Sequence, residues 1–111
     1  MPATAFHLTQ LDTYPMLEAQ LTDPDDEPVD LGGADVELHV AEPRGGDVVV
    51  DDPVTVVDAG AGRVRYQFDE SDTARSGRYR AEFVVTFPNG ATSTYPNDGA
   101  ETIFIDAALA P

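Results

Sequence analysis

The chain has 111 residues, 41% of them apolar, which supports one modest core and is too little for two domains. It has no Cys, which excludes disulfides, thiolate zinc sites and a cysteine nucleophile, and no apolar run near the roughly 18 residues of a membrane span. Asp and Glu total 21 against six basic residues, a formal charge of −15, so nucleic acid is excluded as a partner because its phosphates would meet a negative surface.

The N-terminus Met1-Pro2-Ala3-Thr4-Ala5-Phe6 has no basic start and no apolar stretch, so no secretory leader is expected. The first predicted strand is Thr4 to Leu11. A second, Met16 to Leu21, puts Leu17, Ala19 and Leu21 on one face. Thr22 to Pro28, with Asp23, Asp25, Asp26 and Glu27, reads as a polar turn. Ala34 to Glu42 alternates Val36, Leu38 and Val40 inward with Asp35, Glu37 and His39 outward, and Pro43-Arg44-Gly45-Gly46 closes it.

Two β-branched runs follow, Val48 to Val50 and Val54 to Val57, split at Asp51-Asp52-Pro53, where Pro53 indicates an edge or a bend. After Gly60-Ala61-Gly62, residues Val64, Tyr66 and Phe68 face inward and Arg63, Arg65 and Gln67 outward. Asp69 to Ser76 is expected to form a single helical turn. The clearest strand then carries Tyr79, Ala81, Phe83, Val85 and Phe87 on one face. Pro88-Asn89-Gly90 signals a hairpin in which Asn-Gly supplies positive φ. Ala91 to Tyr95 returns, Glu101 to Asp106 forms a last strand, and residues 107–111 make a short tail after a single domain over 1–106. The Val48–Val57 region and the terminal strands are the expected sheet edges.

Seven to nine short strands of this kind define an all-β fold, an immunoglobulin-like antiparallel β-sandwich. The segment from Asp72 to Tyr79 resembles the tyrosine corner of that fold, with Tyr79 capping the crossover by its hydroxyl. A packing role alone is the other reading of Tyr79.

The charge has its own meaning. All six basic residues are Arg, namely Arg44, Arg63, Arg65, Arg75, Arg78 and Arg80, and Lys is absent. An ordered domain so acidic repels itself at ordinary ionic strength. At about 1 M salt the Debye length is about 3 Å and that repulsion is screened. Salt adaptation accounts for both the acid excess and the missing Lys; an ordinary acidic protein of a mesophile is the other reading of the charge.

Pro28-Val29-Asp30-Leu31-Gly32-Gly33-Ala34-Asp35-Val36 is similar to a segment of the N-terminal domains of phage baseplate upper proteins. Gly62-Arg63-Val64-Arg65-Tyr66, then Gly77 through Phe83, then Phe87-Pro88-Asn89-Gly90 with Thr94-Tyr95-Pro96, match further motifs of that family in order, over roughly residues 8 to 106. The resemblance implies an immunoglobulin-like virion domain that sits on tails, baseplates or other particle surfaces. Its expected partners are other virion proteins, the major capsid protein or tail and baseplate proteins, with the domain repeated in the particle. It is expected in the virion, and in the host cytoplasm during assembly. The chain differs from longer family members in ending at Pro111, which favours an adaptor or capsid-decoration role over host binding. With the salt signature, the expected source is a tailed virus of halophilic archaea. The alternative is a cellular haloarchaeal adhesive or binding module.

No catalytic, cofactor-binding or metal site is expected, and the chain reads as a non-enzyme. His7 and His39 read as solvated surface histidines. The acidic groups Asp23, Asp25, Asp26 and Glu27, or Asp69, Glu70 and Asp72, lack the Asp-x-Asp-x-Asp-Gly calcium loop. Ser71, Ser76 and Ser93 have no nucleophile elbow, and the glycine pairs precede strands, unlike phosphate loops. The outward Arg63, Arg65, Arg78 and Arg80 are the candidate interface: they either pair within the domain or dock an acidic neighbour.

Overall fold

The computed structural model describes residues 5–14, 16–42, 48–95 and 101–108. Thr4, the Pro43–Gly46 turn with Arg44, Pro96 and the last three residues of the tail lie outside them. The strands are β1 (Ala5–Thr9), β2 (Leu17–Gln20), β3 (Asp35–Ala41), β4 (Val48–Pro53), β5 (Thr55–Asp58), β6 (Arg63–Tyr66), β7 (Gly77–Thr86), β8 (Thr92–Tyr95) and β9 (Glu101–Asp106). They form a sandwich of two sheets. One is six-stranded in the order β1-β9-β7-β3-β4 with β8 also on β7, and the other is three-stranded in the order β2-β6-β5. This is the immunoglobulin-like arrangement that the strand pattern predicts.

Among the described residues every strand pairing but one is antiparallel; β1 runs parallel to β9, Ala5 opposite Thr102 and Thr9 opposite Asp106. β9 therefore lies inside its sheet and only β1, of the two terminal strands, is an edge. The reason is the length of β7: its first half, Gly77–Ala81, pairs with β9, and its second half, Phe83–Thr86, pairs with β8 along the same side. The opposite side of β7 is taken by β3.

Alternation drives the packing. Val36, Leu38 and Val40 of β3, Tyr79, Ala81, Phe83 and Val85 of β7, and Val64 and Tyr66 of β6 are all buried in one core. Their neighbours in sequence face out, because successive side chains of a strand point to opposite faces. The break expected at Asp51-Asp52-Pro53 falls one residue later. Asp51, Asp52 and Pro53 stay paired with His39, Leu38 and Glu37, and the chain crosses to the other sheet at Val54. Pro53 fits because β4 is an edge strand, where its missing N–H breaks no ladder bond.

The turns depart from expectation in two places. Phe87 to Gly90 closes with the Gly90 amide donating to the Phe87 carbonyl at 2.9 Å, and only Gly90 has positive φ, at 87°. Pro88 fixes its own φ near −65°, which suits type I and type II turns alike, and Asn89, without positive φ, makes this one type I, so the left-handed residue is Gly90 alone. Asp69 to Ser76 forms turns and no helix, with the Asp72 and Thr73 amides bonded three residues back to Asp69 and Glu70. That segment is held by Thr73, fully buried, whose hydroxyl donates to the Asp12 carbonyl at 3.0 Å. Gly62, at φ 68°, admits no side chain: a Cβ there would stand 2.6 Å from the Leu21 carbonyl oxygen.

Candidate functional site

The acidic turn between β2 and β3 is closed by its own side chain. One Asp23 carboxylate oxygen accepts from the Asp25 and Glu27 amides at 2.9 and 3.0 Å, and Asp26 takes φ 64°. Asp23 is thereby spent on backbone donors that a tight turn leaves unpaired. In the second acidic group, Asp72 accepts from the Asp69 amide at 2.9 Å and from the Tyr66 hydroxyl at 2.7 Å. Tyr66 also contacts Asp52 at 3.0 Å. Burial first, then bonding to Asp72 and Asp52, pushes the Tyr66 phenol above its ordinary pKa.

Tyr79 is buried, and its hydroxyl donates to the Arg75 carbonyl at 2.8 Å, with the Ser76 carbonyl at 3.4 Å. Asp72 is bonded to Tyr66 in place of Tyr79. Ser71 and Ser76 lie in the turn before β7, and Ser93 lies on β8.

The four candidate arginines divide between two surfaces. Arg63 and Arg65 sit on β6, next to Gln20 and Glu18 of β2 and to Asp58 and Thr55 of β5. Arg78 and Arg80 sit on β7, beside Phe104 and Thr102 of β9. Each pair alternates with buried residues of its own sheet, so the two pairs point away from opposite faces of the sandwich. Arg80 stands 3.7 Å from Glu82 on the same strand. The closest Arg–carboxylate pair among the described residues is Arg75 with Glu42, 2.9 Å. Sequence reading missed it because a turn and a strand end, 33 positions apart, meet only in the fold.

The outer face of the six-stranded sheet gathers the most chemistry. His7 on β1 stacks on Phe104 of β9, with centroids 4.8 Å apart and planes 11° apart. Arg78, Arg80 and Glu82 follow on β7. On β3, His39 lies between Glu82 of β7 and Asp51 of β4 in register. His39 Nε2 is 3.0 Å from an Asp51 oxygen and 3.2 Å from a Glu37 oxygen. The pattern Glu37-x-His39 was visible as two outward residues; Asp51 joins them only through the β3–β4 register.

This face is therefore a mixed surface of cations, carboxylates and one aromatic stack, running across the sheet from the β1 edge to the β4 edge. It carries a basic part, Arg78 and Arg80 on β7, and an acidic part, Glu37, Asp51 and Glu82 around His39, a pairing of opposite patches that can complement a protein surface. The β4 edge beside it also exposes Val48, 60% accessible, and the β5 edge exposes Val57, 54% accessible. Unpaired edge strands offer main-chain donors and acceptors to a second chain.

The family model described as the BppU N-terminal domain matches residues 9–95. That stretch runs from the end of β1 to the end of β8 and includes all four candidate arginines and the Glu37–His39–Asp51 group. No curated protein matches the chain significantly.

Proposed function

The chain belongs to the family of the BppU N-terminal domain, the N-terminal domain of phage baseplate upper proteins, and from that premise we propose that it is a non-enzymatic structural component of the particle of a tailed virus of halophilic archaea. The coarser part of this reading, a virion structural protein that contacts other virion proteins, is what the family carries. The finer part is ours: a single domain, repeated on the capsid or tail surface as a decoration or baseplate protein, made in the host cytoplasm and carried into the particle. The observation that supports it most is the family match across both sheets of the sandwich. The charge of −15 without Lys supports the salt-rich host.

Docking between two acidic surfaces needs screening, strand addition or local Arg-to-carboxylate pairs. Arg78 and Arg80, on the outer face of the six-stranded sheet, are the residues assigned to that contact, with Arg63 and Arg65 serving the opposite face. Charge reversal at Arg78 or Arg80 is expected to lower the amount of this protein per purified virion while the free domain keeps its melting curve. Mass spectrometry of purified particles reads the first quantity. Equal incorporation of all four Arg→Glu variants would remove the arginines from the contact. Absence of the wild-type protein from particles would overturn the virion role and favour a cellular binding module.

A further inference from the structure

The Glu37, His39 and Asp51 side chains lie on three successive positions of one outward patch, and one donor atom from each falls within 4.8 Å of the others. We infer that this patch is a binding site for a divalent transition-metal ion, with His39 Nε2 and one oxygen from each of Glu37 and Asp51 as its ligands. The spacing carries the inference. Donors held at about 2.1 Å from a common ion stand about 3 to 3.4 Å apart along the edges of a tetrahedron or octahedron. Two of the three donor pairs have that spacing, His39 Nε2 standing 3.0 Å from Asp51 Oδ1 and 3.2 Å from Glu37 Oε2; the two carboxylate oxygens lie within 4.8 Å of each other and close on the ion by rotation of their exposed side chains.

The chemistry of the donors points the same way. An imidazole nitrogen offers one proton or one lone pair, so its N–H serves the two carboxylate oxygens in front of it only as a shared donor, whereas a cation between them serves all three groups. The nitrogen ligand selects borderline ions such as Zn²⁺ or Ni²⁺ over Ca²⁺ and Mg²⁺, which take oxygen, with the harder Mn²⁺ bound more weakly than Zn²⁺ or Ni²⁺. The backbone supplies rigidity. Glu37 and His39 are two apart on β3, and Asp51 is the direct partner of His39 on β4, so the register fixes all three. Glu82, opposite His39 on β7, adds negative charge from the other side. The three side chains are 52%, 38% and 65% accessible, so an ion can enter and keeps open positions toward solvent.

The site is independent of the virion role and is tested on the full chain, freed of metal by chelation, with ZnSO₄, NiCl₂ and MnCl₂ as probes. Calorimetric titration is expected to give one Zn²⁺ per chain, with the melting midpoint rising as Zn²⁺ is added and unmoved by equal Ca²⁺ or Mg²⁺. His39→Ala is expected to abolish binding, and Asp51→Asn to weaken it at least about tenfold, whereas His7→Ala, on the same face, leaves it unchanged. NMR of the His39 ring would show the Nε2 resonance shifting on addition of Zn²⁺. No binding of the three metals up to millimolar concentration overturns the inference. So does binding that survives in His39→Ala, which would place the ion on acidic groups elsewhere, and so does a His39 resonance that Zn²⁺ leaves unmoved.

Discussion

Tyr66 joins three elements through one oxygen. It stands on β6 of the smaller sheet, contacts Asp52 on β4 of the larger, and donates to Asp72 in the turn before β7. Its ring packs edge-on against Phe68 at 5.2 Å. Tyr66→Phe keeps the packing and removes the bond to a carboxylate, which is expected to cost about 2 kcal/mol. The pH dependence follows from the raised pKa. Below about 10, the ordinary tyrosine value, folded and unfolded chains both hold the proton. Above it the unfolded chain releases the proton and the folded chain keeps it, so stability falls as pH rises. Denaturant melts from pH 8 upward are expected to show that loss in the wild type and less of it in Tyr66→Phe. For Tyr79, whose hydroxyl meets a neutral carbonyl, Tyr79→Phe is expected to cost about 1 kcal/mol. An unchanged midpoint there would leave Tyr79 a packing role only.

At the scale of elements, β7 is the strand on which the others depend. It is the longest, at 10 residues, and it pairs with β3, β8 and β9. Phe83, 1% accessible, sits at its centre, and Phe83→Ala is expected to cost about 3–5 kcal/mol, as large aromatic truncations do. Val48 and Val57, on the edge strands β4 and β5, are more than half accessible. Val48→Ala is expected to change stability by about 0.5 kcal/mol or less. The contrast is checked by urea midpoints at a common salt concentration. A similar loss at both positions would mean that the β4 edge is buried in a self-associated state.

The whole molecule carries its formal −15 on 6675 Å² of surface. Self-repulsion of that size opposes compaction, and salt shortens its range to about 3 Å at 1 M. Circular dichroism melts between about 0.1 M and about 3 M KCl, where the Debye length shrinks from about 10 Å to below 3 Å, are expected to show a midpoint that climbs steeply with salt. A flat midpoint across that range would remove the salt-adaptation reading, and with it the case for a halophilic host, while leaving the fold and the family untouched.

The sequence by itself determined the alternation that buries Val36, Leu38 and Val40 on one strand and Tyr79 through Val85 on another, because a period of two is local and every inward residue there is apolar. It also determined the turns at Thr22–Pro28 and Pro88–Gly90, where Pro, Gly and Asp permit little else. It separated the outward arginines from the inward core for the same reason. It could not assign partners. Whether β9 is an edge, whether Arg65 and Arg80 share a face, and whether Asp51 meets His39 depend on which strands pair and in what register. Register is set by the total fit of both faces and the crossovers, a property of the whole core. Tertiary structure alone therefore placed β1 parallel to β9, sent the two arginine pairs to opposite faces, and brought Glu42 to Arg75. The same pairing turned an outward Glu and His into a three-ligand patch, because a residue 12 positions on came to lie directly across the ladder.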